Sequence, residues 1–329
     1  MPELTAFFHY KRIVRTYSGE KSGLNPKWLR LCRSGGLGFC YHQCMGGQER
    51  SSTLAESFAA LVGRRIEDER IDLGRAALTI ALTEYPELSF GSYLARLDTL
   101  AARVRTRISE LGEPAQTIPA LNTVLFEEER FRANRDDYYD VRNSFLNEVL
   151  DRKLGIPITL SLLYMEIGRR VGFPLFGVGM PGHFLVKHYD VEGRQVLIDP
   201  YNNGCVLTAS DCQRRLDEIY AGHISLQPEF LLPVNRRQML TRMLNNLKGI
   251  YLAARNFRKA LPIVDMILVI YPRSPEDVKQ RAMLRHSLGN VRGAIDDLED
   301  YLKMSPDASD ADEIRSTALS LRRSLASMN

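Results

Sequence analysis

From Leu54 onward the apolar positions fall at helical steps. Ile71, Ala77, Leu78, Ala81 and Leu82 recur mostly three or four residues apart, and Leu94, Leu97, Leu100, Ala101 and Val104 do the same, which predicts two amphipathic helices. Tyr85-Pro86 stops the first of them. A third helix has a clear start at Gly155-Ile156-Pro157, with proline in a first turn where its missing N–H costs nothing. Ile158, Leu162, Leu163, Met165, Ile167 and Val171 make this helix largely buried until Gly172-Phe173-Pro174 ends it. The pattern then changes to short apolar runs, LFGVGM, HFLVKHYD and QVLIDP, separated by Pro181-Gly182, Glu192-Gly193 and Asn202-Asn203-Gly204. Such runs predict successive hairpin strands. A buried helix followed by hairpins is the pattern of an α+β layered domain.

Beyond Pro233 the chain is all helical and repeats itself. Arg255-Asn256-Phe257-Arg258-Lys259-Ala260-Leu261 returns as Gly289-Asn290-Val291-Arg292-Gly293-Ala294-Ile295, and Tyr271-Pro272 returns as Ser305-Pro306, each at an offset of 34. That is the tetratricopeptide period. Leu244, Leu247, Tyr251, Ala260 and Pro272 fill the signature slots of the first unit; Ala282, Ala294, Leu298, Tyr301 and Pro306 fill those of the second. Residues 234–320 are therefore expected to form two stacked helical hairpins and a capping helix. Stacked repeats of this kind present concave surfaces to proteins or peptides, with Tyr251, Asn256 and Asn290 as the candidate contacts.

Composition narrows the classes. The 329 residues are 44% hydrophobic and 26% charged, with no uninterrupted apolar stretch of membrane-spanning length and no secretory pattern at the N-terminus, so a cytoplasmic protein is expected. The net charge of +4 is concentrated at one end: residues 1–53 carry 8 Lys/Arg against 3 Asp/Glu, and the remainder 36 against 37. A neutral body without a helix-turn-helix pattern gives no support to nucleic-acid binding or a transcription factor. Residues 1–53 also hold SGGLG, MGGQ and three of five cysteines without a sustained period, which reads as a poorly ordered extension, or as a start misplaced upstream of Met45. Cys40, His42 and Cys44, with Cys32 upstream, lack the paired spacing of a zinc site, and no metal or other cofactor is expected. The domain division is thus 1–53 extension, 54–232 layered domain and 233–329 repeats.

Two motifs fail on context. Gly177, Gly179 and Gly182 spell GxGxxG but lead into a strand, not the helix a dinucleotide site requires, and His188 reads as a surface histidine. His183, after the Pro181-Gly182 turn, and Asp199, near the end of a following strand, could meet across antiparallel strands as a tautomer-fixing pair. A structural histidine beside a turn-capping aspartate is the plain alternative. The charge-dense run FEEERFRANRDDYYDVR is either a solvated loop or the rim of a site. In the second case Arg135, Asp136, Asp137, Tyr138, Asn143 and Ser144 would line the cleft; in the first, Asn143 and Ser144 cap the next helix.

The run from Gly155 to Gly204 resembles the core of transglutaminase-like (papain-like) domains: GIPITLSLLYMEIGRRVGFP, then PGHFLVKH, then IDPYNNG. With NSFLNEVLDRKLGIPI before it and tetratricopeptide repeats after it, residues 54–320 resemble the bacterial regulator-of-SirC-expression family, whose core also occurs in some eukaryotic F-box proteins. The resemblance implies a transglutaminase-like domain with N-terminal helices followed by an all-α repeat domain, with His183 and Asp199 at the family's histidine and aspartate. Active transglutaminase-like enzymes open the buried helix with a cysteine, and the matching position, fifteen residues before Gly172, is Pro157. Proline has neither nucleophile nor N–H. Thr159 and Ser161 lie further into the helix, and Cys205 and Cys212 come after the aspartate, off its start. The first expectation is a non-catalytic regulatory or scaffold protein that binds protein through its repeats. The second is an amide or ester hydrolase or acyl transferase using His183 and Asp199 with water or a nucleophile such as Ser144 or Ser161.

Overall fold

The computed structural model describes residues 45–109, 112–190 and 192–327. The remaining positions, with Cys32, Cys40, His42 and Cys44 among them, lie outside the described residues. The chain is α+β and then all-α. Helix α1 (Met45–Val62) runs across the 53/54 boundary expected from composition. A 3-10 turn (Asp68–Arg70) leads to α2 (Leu73–Ala81), where Asp72 accepts the Arg75 N–H at 2.9 Å, and to α3 (Phe90–Arg105). Leu97, Leu100, Ala101 and Val104, the stripe read from the sequence, are the buried residues of α3. Next come α4 (Pro114–Asn122), β1 (Arg132–Ala133), α5 (Leu146–Arg152) and β2 (Leu154–Gly155), which lies parallel to β1.

Helix α6 (Pro157–Arg170) is the axle of the domain. Pro157 occupies its first position, Thr159 Oγ1 accepts the Ile156 N–H at 3.1 Å, and every residue from Pro157 to Tyr164 is buried. A helix apolar on nearly all sides has to be surrounded. One side is covered by the sheet, in the order β6-β5-β4-β3-β7, from β3 (Phe176–Val178), β4 (Leu185–Tyr189), β5 (Gln195–Asp199), β6 (Cys205–Leu207) and β7 (Pro233–Val234), with every pairing antiparallel. Alternation sends Val186 and Ile198 into the main core, and Val178, Leu185 and Leu197 to the opposite face, where α7 (Ala209–Tyr220) supplies Cys212, Leu216 and Tyr220 to a second, smaller core. Both faces of the sheet are therefore covered, which corrects the reading of His188: it is buried, stacked on Phe173 at 3.9 Å between ring centroids, with Nδ1 2.8 Å from the Pro174 carbonyl.

The repeats continue the chain as α8 (Arg236–Ala253), α9 (Phe257–Ile270), α10 (Pro275–Ser287), α11 (Val291–Met304) and the capping helix α12 (Ala311–Ser327). The small residues Ala260 and Ala294 are fully buried where paired helices approach. Asn256 and Asn290 sit one period apart and do the same job, accepting the N–H of Lys259 at 3.3 Å and of Gly293 at 3.0 Å at the starts of α9 and α11. Helix α1 packs against α9, so the N-terminal helices and the first hairpin share one core.

Candidate functional site

The Pro181-Gly182 turn closes with the His183 N–H on the Met180 carbonyl at 3.1 Å, and Gly182 takes φ +68°, which a residue with a side chain rarely adopts. This aims His183 at the end of β5. Its Nε2 lies 2.9 Å from Asp199 Oδ2, with both side chains buried. The same oxygen accepts Asn202 Nδ2 at 2.6 Å and has Arg215 Nε of α7 at 3.9 Å, while Oδ1 accepts the Tyr201 N–H at 3.1 Å. Burial opposes the charge on Asp199, but the hydrogen bonds from His183 and Asn202, with the positive charges of His183 and Arg215, outweigh it and hold the carboxyl below its usual range. In the neutral imidazole, an ionised Asp199 fixes the hydrogen on Nε2 and leaves the lone pair on Nδ1.

The aspartate loop is held from behind. Tyr164 of α6 donates to Asn122 Oδ1 at 3.0 Å, and Asn122 Nδ2 donates to the Gly204 carbonyl at 3.0 Å. Gly204 has φ +70°, and a Cβ there would stand 1.9 Å from Asn122 Oδ1, so only glycine fits this contact. In front, Tyr201 meets the His183 ring edge-on at 5.7 Å, and Arg135 lies 5.1 Å over Tyr201 while donating to Asn202 at 2.6 Å.

Before His183 lies a cavity of about 30 Å³, lined by Tyr138, Ile156, Pro157, His183, Arg242 and Asn246 among others. That is room for about one or two water molecules. Pro157 is thus brought to the same cavity as His183. The nearby hydroxyls have other work: Thr159 donates to the Asn143 carbonyl at 2.7 Å, and Ser161 to that of Phe184 at 3.4 Å. Ser144 is buried with its hydroxyl unpaired, and it is not part of the cavity wall. Burial raises both cysteines, Cys212 to about 11 and Cys205 also upward, helped by the charge of Asp199. Neither is a thiolate at neutral pH. Among the described residues, no serine, threonine or cysteine side chain hydrogen-bonds the His183 ring, and no cluster of three or more metal-binding side chains occurs.

Of the six residues expected to line a cleft, Tyr138 borders this cavity. Asn143 is buried and organises the loop instead: it accepts Asn134 Nδ2 at 3.0 Å and donates to the carbonyls of Asp137 at 2.8 Å and Tyr138 at 3.2 Å. Asp137 joins through its N–H to Asn134 Oδ1 at 3.2 Å. Neither Asn143 nor Ser144 caps α5, whose N-cap is Phe145. The residues expected to face a partner are also spoken for. Tyr251 is buried with its hydroxyl on Glu84 at 3.1 Å, and Asn256 and Asn290 are helix caps. Sequence reasoning missed Arg242 and Asn246, which reach the cavity from α8. The only trace is a basic residue on α8 flanked by buried Met239, Leu240, Met243 and Leu244.

Residues 91–245 match the model of the transglutaminase-like superfamily, and 247–318 that of the tetratricopeptide repeat. A UPF0162 protein of Xylella fastidiosa is 34% identical over 253 residues, covering 76% of this chain and 90% of that protein. This chain belongs to the UPF0162 family. A second UPF0162 protein, from Vibrio cholerae, is 29% identical over 238 residues, covering 71% of this chain and 85% of its own length. The F-box only protein 21 of Mus musculus is 31% identical over 204 residues, covering 58% of this chain but 31% of the mouse protein. The UPF0162 chain therefore combines a transglutaminase-like domain with tetratricopeptide repeats, and among its described residues no helix is long and apolar enough to cross a membrane.

Proposed function

We infer that this chain is a non-catalytic transglutaminase-like protein that acts in the cytoplasm as a regulatory or scaffold protein, binding protein through its helical repeats. The observation that carries the reading is Pro157. It stands at the helix start where the resembling enzymes place their cysteine, beside a His183–Asp199 pair facing a cavity of about 30 Å³. An acyl-transfer reaction started there has no nucleophile. Repeats of this period serve protein interaction in general, and the family resemblance adds the regulatory role. The working division is a transglutaminase-like domain to about residue 232 and repeats from 233. The test is turnover of amide and ester substrates by the full chain and by His183→Ala. Equal, background rates are expected; a rate abolished by His183→Ala in a folded protein overturns the reading.

One observation favours a second reading, hydrolysis by an activated water. His183 keeps its orienting carboxylate and the cavity has room for a water. The same assay separates the two.

A further inference from the structure

Helix α8 joins the two matched regions, the transglutaminase-like one ending at 245 and the repeat one starting at 247, and its first half reaches the histidine cleft. Arg242 Nη2 donates to the His183 carbonyl at 2.7 Å and to that of Met180 at 3.2 Å, and Nη1 donates to Met180 at 3.3 Å. The guanidinium also lies 5.3 Å over the Phe184 ring. Both carbonyls flank the Pro181-Gly182 turn that aims the histidine. One helical turn on, Asn246 lines the same cavity as Tyr138. The far end of α8 is fixed: Asp68 accepts the N–H of Arg236 at 2.7 Å and of Arg237 at 3.1 Å, and the Arg237 side chain donates to the carbonyls of Val62 at 3.1 Å, Gly63 at 2.8 Å and Ile66. Met239, Leu240, Met243, Leu244 and Leu247 bury α8 in the main core between these points, so the helix is a fixed support from which Arg242 holds the turn.

We propose that Arg242 of α8 is a latch on the Pro181-Gly182 turn, so that releasing it from the Met180 and His183 carbonyls lets the turn move and opens His183 to a ligand. This holds whether or not His183 takes part in any turnover. It ties the accessibility of the transglutaminase-like site to the repeats, because the helix that carries the latch runs on into the first of them.

The test is hydrogen–deuterium exchange at the imidazole C2 positions of the full chain, read by peptide mass spectrometry on the alkaline plateau where the rate no longer follows ring titration. The protein carries its own references. His223 is exposed. His188 is buried on β4, held by Phe173 and the Pro174 carbonyl. Losing the charge-assisted bonds in Arg242→Ala is expected to speed exchange at His183 at least about tenfold, with His188 and His223 unchanged within about twofold. Arg242→Lys, whose ammonium cannot fork between two carbonyls, is expected to act in the same direction by a smaller factor, and it decides the matter if the alanine variant does not fold. Equal acceleration at His183 and His188 would mean general loosening and overturns the latch. So does an unchanged His183 in a folded variant.

Discussion

The two helical hairpins share one 34-residue pattern but are filled by opposite chemistries. In the first, Leu247, Tyr251 and Ile263 are buried together in an apolar interior. The residues 34 positions later are Arg281, Arg285 and Asp297. There Asp297 is buried and gripped by Arg281 at 2.7 and 3.0 Å and by Arg285 at 2.9 Å, and Arg281 also reaches Asp265 of the first hairpin at 3.4 Å. The anchoring differs as well. The first hairpin is bolted to the N-terminal helices through Asp68, Glu84 and α1, whereas the second is tied to the turn leading into α12, with Lys279 and Tyr301 both on Asp310. A repeat period therefore fixes backbone shape, while the same slot holds either an apolar contact or an ion cluster. The choice decides how the unit fails, because a buried ion pair is worth little against an apolar filling of equal volume but costs much when half of it is removed.

The largest expected effect tests that contrast directly. Asp297→Ala takes from two half-buried guanidiniums the carboxylate they share and is expected to cost about 3 kcal/mol in urea unfolding. Replacing the cluster with the first hairpin's own residues, Arg281→Leu, Arg285→Tyr and Asp297→Ile together, is expected to recover all but about 1 kcal/mol. A single variant costing less than the triple would break the comparison. Next in size is Asp68→Ala, which strips the carboxylate from the start of α8 and is expected to cost about 1 to 2 kcal/mol, seen as faster amide exchange in α8 and α9 ahead of α10 and α11. The reverse order would place the bolt elsewhere.

Acid should separate the hairpins again. Burial works to raise the Asp310 carboxyl, but the hydrogen bonds from Tyr301 and Lys279 and the charge of Lys279 prevail and hold it below its usual range. Such a group adds stability that is fully present above its unfolded value, about pH 4, and is lost as pH falls through the lower folded one. Amide protection in α10 to α12 is therefore expected to drop as pH falls below about 4, before that in α8 and α9; simultaneous loss would contradict it. The smallest effect is Lys259→Ala. Its partly exposed pair with Glu84 is expected to be worth about 0.5 kcal/mol in the same urea titration.

The sequence carried the elements well where one periodicity dominates. Pro157 and Gly172 bracket α6 almost to the residue, and the offset of 34 located both hairpins, because caps, breakers and buried stripes are local or strictly spaced. It carried poorly what depends on a second covering layer. Lys187 and His188 are adjacent on β4 and both buried, since α6 lies on one face of the sheet and α7 on the other, so no polar-out position remains to be read. The histidine–aspartate pair was legible as two strand ends. Arg242 was not, because its partners are the backbone carbonyls of Met180 and His183 some sixty residues away, and carbonyls leave no mark in a sequence.

The anchoring of α8 has a mechanical consequence. A stack of repeats clamped at its first unit and ending in α12 is a cantilever: each interface adds its own small angular play to the one before it, and the summed displacement is greatest at the tip. The exposed Leu319 on α12 is carried by the last helix of the stack, while Arg242 and His183 meet beside the clamp, where the same play is smallest.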